Sequence, residues 1–215
     1  MNIVAHEVQF GTHTFILNNQ RSMFWPKHET LILSDLHLGK AAHLRKNGFA
    51  IPSYTHTHDI ERLSALIEHY KAQQLVIVGD MIHAKNNKEV VEWKQFCEQH
   101  SYLRVVLIKG NHDRLSNTFL HDLGVHQIED HWLFDGISFV HEPTSENENP
   151  TISGHIHPGI QVKLLKNSRK SFPCFVLHNN VFILPAFSLF TGLDINTLKK
   201  SAKFYAFHNQ GFFCL

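Results

Sequence analysis

The sequence has little of several features that would assign it to a special class of protein. Its three cysteines, Cys97, Cys174 and Cys214, are far apart. Neither a disulfide framework nor a Cys-x-x-Cys metal site is therefore expected. No apolar run approaches the ~20 residues of a membrane span, and residues 1–20 lack the pattern of a secretory signal. We expect a cytoplasmic protein without membrane association.

The chain also lacks a strong excess of charge. It has 20 Lys and Arg against 19 Asp and Glu, a net charge of +1, so no bulk electrostatic attraction to nucleic acid is evident. No repeat or low-complexity tract is visible. A length of 215 residues with 43% hydrophobic residues predicts a single folded domain over residues 1–215. Histidine is unusually frequent, with 19 copies, so only histidines within tight motifs are informative.

Apolar periodicity predicts the fold class. The first half alternates short buried strands with helical patterns, which is typical of a parallel sheet with helices outside. The second half changes to strands, with a hairpin around Asp135-Gly136. Together the two halves predict an α/β fold, a four-layer α-β-β-α sandwich of two facing mixed sheets with flanking helices. The predicted helices cover Ile60–Tyr70 and Val90–His100. The predicted strands are Val4–Phe10, Thr14–Leu17, Thr30–Ser34, Leu75–Val78, Leu103–Ile108, Trp132–Phe134, Ile137–Val140, Thr151–Ser153, Gln161–Leu165, Phe172–His178, Val181–Leu184 and Phe204–Phe207.

Five of these strands end in side chains that can bind a metal ion. Ligands bind at the carboxyl ends of the strands in open α/β sheets, and a preceding glycine permits a tight turn and a close approach. The side chains are carboxylates, imidazoles and one carboxamide, which suit Mn²⁺, Fe²⁺ or Zn²⁺. Since a carboxylate has two oxygens, Asp80 can bridge two ions. The candidate ligands are Asp35, His37, Asp80, Asn111, His141, His155 and His157. The neighbouring His126 and His131 make His141 the least certain ligand.

The ordered series of motifs resembles the calcineurin-like metallophosphoesterase superfamily. The series is Asp35-x-His37, Gly79-Asp80, Gly110-Asn111-His112-Asp113, His141 and Gly154-His155-x-His157. More narrowly, Ser34 to Lys40, Arg45-Lys46-x-Gly48 and Leu184 to Gly192 resemble the bacterial DNA-ligase-associated metallophosphoesterases. This chain departs from that branch in having Leu193 after Gly192 and Glu142 after His141.

The resemblance implies two divalent ions, with Mn²⁺ favoured over Fe²⁺ or Zn²⁺. Metal one would take Asp35, His37, Asp80 and His157, and metal two would take Asp80, Asn111, His141 and His155. His112 would stay off the metals and act as general acid, since imidazole titrates near neutral pH. Either Asp113 or Asp35 could orient its ring. Lys40, Arg45 and His83 are candidate substrate contacts. A solvated basic helix face is the alternative for Lys40 and Arg45, and a structural role is the favoured alternative for His83.

The resemblance further implies a phosphodiesterase, a DNA nuclease in ligase-associated DNA repair. Its implied functional partners are a DNA ligase, a DEXH helicase and a metallo-β-lactamase-fold exonuclease. Two alternatives stay open from the residues. One is a phosphoesterase that acts on small nucleotides or phosphomonoesters, which the near-neutral charge favours. The other is a catalytically weak binding module in a repair complex, which the complete ligand series disfavours.

Overall fold

A computed structural model describes residues 1–40, 55–83, 88–144, 148–164, 168–197 and 201–215, without the side chains of residues 55–57. These residues form two facing sheets and three α-helices. No helix among them is long and apolar enough to cross a membrane.

The first sheet has seven strands in sequence order, β1 to β7. Its first four strands are antiparallel, whereas β4 to β7 are parallel. Such parallel strands need crossover connections, and an α-helix lies between each consecutive pair of them in the chain. The strands are β1 (Ala5–Phe10), β2 (His13–Asn18), β3 (Ser22–Trp25), β4 (Thr30–Leu33), β5 (Gln74–Val78), β6 (Arg104–Ile108) and β7 (Gln127–Glu129). The helices are α1 (Thr55–Tyr70), α2 (Lys88–Gln99) and α3 (Asn117–Asp122), and a 3₁₀ turn covers Pro26–His28.

The second sheet has eight strands. Its order is β15-β14-β12-β13-β10-β9-β8, with β11 paired to β12. The strands β9, β10 and β13 are parallel, and the others pair antiparallel. The bounds are β8 (His131–Phe134), β9 (Ile137–Val140), β10 (Thr151–Ser153), β11 (Gly159–Lys163), β12 (Arg169–His178), β13 (Val181–Ile183), β14 (Lys203–His208) and β15 (Gly211–Cys214).

The central strands are buried on both faces, which explains their continuous apolar sequences. In β5, Leu75 and Ile77 face the helices, where they pack with residues such as Leu63 and Trp93. Val76 and Val78 face the second sheet. Because side chains alternate along a strand, one sheet thus separates two hydrophobic cores.

The expected α/β sandwich of two mixed sheets is confirmed, with one difference in the outer layers. All three described helices pack on the first sheet. Over the described residues, no helix covers the outer face of the second sheet. Cys174 and Val176 on that face pack instead with Ile160 of β11 and with Ala202. The hairpin of β8 and β9 around Asp135-Gly136 is present as expected, with positive φ at both turn residues.

Candidate metal centre

The carboxyl ends of five parallel strands meet at one edge of the sandwich. Asp35 and Asp80 follow β4 and β5, and Asn111 follows β6 of the first sheet. His141 and His155 follow β9 and β10 of the second sheet. The two sheets join here through a bridge between Ser34 and Ala186. The topology therefore gathers the candidate ligands from both sheets.

The backbone of the candidate ligands is unusual. Five of them have left-handed φ angles: Asp35 (54°), His37 (50°), Asp80 (50°), His155 (70°) and His157 (53°). This conformation costs a residue with a side chain roughly 1–2 kcal/mol, and such residues cluster at functional sites. The left-handed conformation turns the backbone away from the regular pleat of the preceding strand. Both side chains of each Asp-x-His or His-x-His pair can therefore face one site.

The glycines before the ligands are required by close contacts. A Cβ atom on Gly79 would lie 2.0 Å from Nδ1 of His141. A Cβ atom on Gly110 would lie 2.2 Å from Oδ1 of Asp80, and one on Gly154 would lie 2.8 Å from Oδ2 of Asp35. Only glycine permits this packing of the strand ends.

Asp35, His37 and His157 form a first group of donor atoms. Oδ1 of Asp35 lies 3.0 Å from Nε2 of His157, and the Nε2 atoms of His37 and His157 are 3.4 Å apart. Burial lowers the pKa of His37 to about 3, so its ring is neutral and can offer a lone pair. Oδ2 of Asp35 accepts a hydrogen bond from the backbone N–H of His155. Its Oδ1 atom is buried and has no hydrogen-bond partner among the described residues.

Asp80 lies between this group and a second one. Its Oδ2 atom is 3.9 Å from Nε2 of His37, whereas its Oδ1 atom is 3.5 Å from Nε2 of His141. Oδ1 also accepts a hydrogen bond from the backbone N–H of His112. Burial opposes ionisation of Asp80, but the hydrogen bond and the charge of His141 hold its pKa below the usual range. One carboxylate thus presents one oxygen to each group.

The second group contains His141, Asn111 and His155. Nε2 of His141 is 3.2 Å from Oδ1 of Asn111 and 3.2 Å from Nδ1 of His155. Nδ1 of His141 is 3.1 Å from the carbonyl oxygen of Val78, to which it donates when protonated, so Nε2 points into the site. Burial lowers the pKa of His141, but the Asp80 hydrogen bond and the charges of Asp35 and Asp80 raise it to about 9.

The donor set fits divalent cations. Two sets of three residues each bring one ligand atom per residue within 4.8 Å of the others. One set is Asp35, His37 and His157, and the other is Asp35, Asp80 and His141. The buried Oδ1 atom of Asp35 is the strongest sign, because a buried carboxylate oxygen is costly unless a cation or a donor satisfies it. It forms no hydrogen bond among the described residues, and its close neighbour at 3.0 Å is Nε2 of His157, another potential metal ligand. Carboxylate and imidazole ligands suit Mn²⁺, Fe²⁺ and Zn²⁺.

His112 lies at the open side of these groups. Its side chain is 43% exposed, and its Nε2 atom is 3.9 Å from Oδ2 of Asp80. The rings of His37 and His83 have their centroids 5.8 and 5.3 Å from that of His112. His83 therefore lies beside the expected general acid. Asp80, rather than Asp113 or Asp35, is the carboxylate that contacts the His112 ring.

The surroundings of Asp113 differ from those expected of a residue that orients the His112 ring. Its Oδ1 atom accepts hydrogen bonds from the backbone N–H groups of Met81 and Ile82, and its Oδ2 atom accepts one from Gly110. Burial raises the pKa of the Asp113 carboxyl, although these three donors oppose the rise. Asp113 therefore ties the loop after β5 to the loop after β6, and acts on the site through their position.

The remaining substrate candidates are placed unequally. Lys40 is half-buried behind His37, and its backbone N–H donates to the carbonyl of His37. Burial lowers the pKa of Lys40, against the attraction of Asp35 and Asp80. Arg45, together with Lys46 and Gly48, lies outside the described residues.

Sequence reasoning missed the side chains that hold the loop of Asp35. The segment Ala186–Ser188, here called the strap, donates backbone hydrogen bonds to the carbonyls of Ser34 and Asp35. Arg62 donates to the carbonyl of Phe187 and pairs with Asp59 at 3.0 Å, and Arg21 donates to the carbonyls of Ala186 and Ser188. An Asp-x-x-Arg pair on an otherwise apolar helix face is the only sequence signal of this arrangement.

Comparisons with known proteins agree with the geometry. The sequence profile described as calcineurin-like phosphoesterase matches residues 28–202. A crystal structure of Pseudomonas putida nuclease MPE is 27% identical over 99% of this chain and 100% of that chain, with a TM-score of 0.82. The structure of Yfce, a phosphoesterase from E. coli, is 15% identical over 86% of this chain and 97% of that chain, with a TM-score of 0.46. A search of curated protein sequences gave no significant match.

The profile match covers most of the chain, including every candidate ligand. The chain therefore belongs to the calcineurin-like phosphoesterase family, which confirms the resemblance found in the sequence. It is a metal-dependent phosphoesterase, a hydrolase of phosphate esters.

Proposed function

We propose that the protein is a dinuclear phosphodiesterase that cleaves nucleic acid, with DNA as its substrate. The observation that carries this proposal is the position of Asp80, whose two oxygens face two separate donor groups. The similarity along the full chain to a protein named as a nuclease supports a phosphodiester substrate.

The residues have distinct roles in this proposal. Asp35, His37, Asp80 and His157 would hold one ion, and Asp80, Asn111, His141 and His155 the other, with Mn²⁺ as the favoured metal. Bound divalent ions at such a site supply Lewis acidity toward a phosphoryl oxygen and lower the pKa of a bound water.

His112 would supply the proton that the leaving group needs. Its Nε2 atom is exposed to an incoming ester and held 3.9 Å from Oδ2 of Asp80. As a water oxygen bonds to phosphorus and the bond from phosphorus to the leaving oxygen breaks, the proton on Nε2 would pass to that leaving oxygen. His83, whose ring lies beside that of His112, would contact the substrate on the same side.

Hydrolysis of bis-p-nitrophenyl phosphate, p-nitrophenyl phosphate and end-labelled DNA with Mn²⁺ tests the proposal. We expect turnover of the diester and of DNA by the wild type, and loss of both in Asn111→Ala. His112→Ala should lose more activity on DNA than on the nitrophenyl diester, because nitrophenolate leaves without a proton.

Turnover of the monoester alone would contradict the proposal and indicate a small-molecule phosphatase. A protein inert with Mn²⁺, Fe²⁺ and Zn²⁺ would indicate a binding module instead. A role in DNA repair, the cytoplasmic location and a functional association with a DNA ligase, a DEXH helicase and a metallo-β-lactamase-fold exonuclease remain predictions of this proposal.

A further inference from the structure

The hairpin of β11 and β12 carries a local excess of positive charge that the net charge of the chain conceals. Between Glu148 and Asp194 the sequence contains no Asp or Glu. Within this stretch, Lys163 ends β11, and Arg169 and Lys170 begin β12. All three side chains are exposed. Among the described residues, none of them forms a salt bridge with a carboxylate.

The register of the hairpin sets two of these cations against each other. Lys163 and Arg169 are directly opposite in the antiparallel ladder and so share one face of the hairpin. Arg169 donates a hydrogen bond to the neutral amide of Gln161, on the same face, at 3.3 Å. Like charges in directly opposite positions destabilise a sheet. The fold alone gives no reason for this pair, whereas a bound polyanion would relieve the repulsion.

The hairpin continues directly from the metal centre. His157 is followed by Pro158, and β11 begins at Gly159. Lys163 lies six positions after His157, which at about 3.3 Å per residue gives a reach of up to roughly 20 Å. In a stacked strand, at 3.4 Å per nucleotide, that distance corresponds to about six nucleotides. A small ester at the metal centre does not extend so far, but a nucleic-acid strand does.

We propose that the β11–β12 hairpin is a nucleic-acid-binding surface, on which Lys163 and Arg169 contact the phosphodiester backbone of a nucleic-acid strand several nucleotides from the scissile phosphate. This inference rests on the proposed function for its choice of ligand. Its test measures binding without cleavage, so the two can fail separately.

The test compares the double variant Lys163→Gln/Arg169→Gln with the wild type. The matched control is Lys88→Gln/Lys94→Gln, which removes two exposed lysines from α2, on the outer face of the other sheet. Binding of a fluorescein-labelled 20-nucleotide single strand is measured by anisotropy in EDTA, across a salt series. The same proteins are assayed with Mn²⁺ on bis-p-nitrophenyl phosphate, and their melting temperatures are recorded.

Each contact with a phosphate of a single strand contributes about 0.7 to the slope of log K against log salt. Loss of two contacts should lower the magnitude of the slope by about 1.4. Relative to the wild type, the variant should therefore lose roughly 25-fold in affinity as the salt concentration falls from 1 M to 0.1 M. The control should bind as the wild type does. Hydrolysis of the small diester should be unchanged, and the melting temperature should not fall, because the variant removes a repulsion.

Binding of the double variant within twofold of the control would overturn the assignment. So would an equal loss of small-diester hydrolysis, which would indicate general damage. Loss of binding to phosphatidylserine vesicles without loss of DNA binding would overturn it too, in favour of a membrane surface. A wild type that binds DNA through the hairpin but hydrolyses no diester would support the hairpin assignment and contradict the proposed function.

Discussion

Replacement of Gly79 by alanine tests whether close packing of the strand ends holds the metal centre together. Its added Cβ atom would lie 2.0 Å from Nδ1 of His141, where an ordinary contact is at least 3.4 Å. The imidazole must therefore move by about 1.4 Å, since the Gly79 backbone is fixed between a buried strand and Asp80. A misplacement of about 1 Å at a catalytic site can cost 100-fold in rate. We expect kcat/KM on bis-p-nitrophenyl phosphate to fall by at least about 100-fold.

Gly136→Ala is the matched control for this substitution. Gly136 also has a left-handed backbone, with φ of 75° against 82° for Gly79, but no heavy atom lies within 4 Å of its added Cβ. Both variants should lose about 1–2 kcal/mol of stability from the backbone alone. Only Gly79→Ala should lose activity, and it should bind fewer Mn²⁺ ions in calorimetry. If Gly79→Ala kept more than a tenth of the activity of Gly136→Ala, the packing argument would be refuted.

Three further predictions concern the supports and the protonation of the site. Asp113→Ala leaves three buried backbone N–H groups without an acceptor, so urea unfolding should show a loss of about 3 kcal/mol or more. In metal-free protein the raised pKa of His141, about 9, contributes stability that is present below pH 6.5 and lost as the pH rises through 9. Binding of Mn²⁺ at pH 7.5 should consequently release a proton into weak buffer, and His141→Ala should abolish that release. Arg62→Met should reduce kcat by a larger factor than it changes KM, because the strap would no longer fix the loop of Asp35. An unchanged kcat in a folded variant would contradict this role.

The sequence predicted best those parts that depend on local pattern. The parallel strands β4, β5 and β6 are apolar on both faces, so their positions follow from short apolar runs that end in glycine or a polar ligand. The hairpin at Asp135-Gly136 follows from turn chemistry in the same way. The candidate ligands were found because each lies immediately after such a strand, not because an isolated histidine is informative.

Elements whose existence depends on distant partners were missed or misplaced. The three-residue β7 and the six-residue α3 are too short to show a period. The strand β12 begins at Arg169 rather than at the predicted Phe172, because pairing with β11 extends it through a polar stretch. For the same reason, the contacts of Asp113 could not be predicted. Its carboxylate oxygens accept hydrogen bonds from two backbone N–H groups more than thirty residues away in the sequence and from one only three residues away.

The left-handed ligands connect the stability of the fold to the shape of the site. Five such residues, at roughly 1–2 kcal/mol each, store about 5–10 kcal/mol that an unconstrained loop would release by relaxing. Relaxation is prevented because the loops are held from several sides. Backbone N–H groups of Asp35 and His37 donate to the carbonyls of Gly79 and Asp80, and the strap donates back to the carbonyl of Asp35. Donor atoms fixed in this way are gathered before any cation arrives, so little of the binding free energy is needed to reorganise the chain. It follows that substitutions in the strap, remote from the phosphate, should weaken metal binding as well as stability.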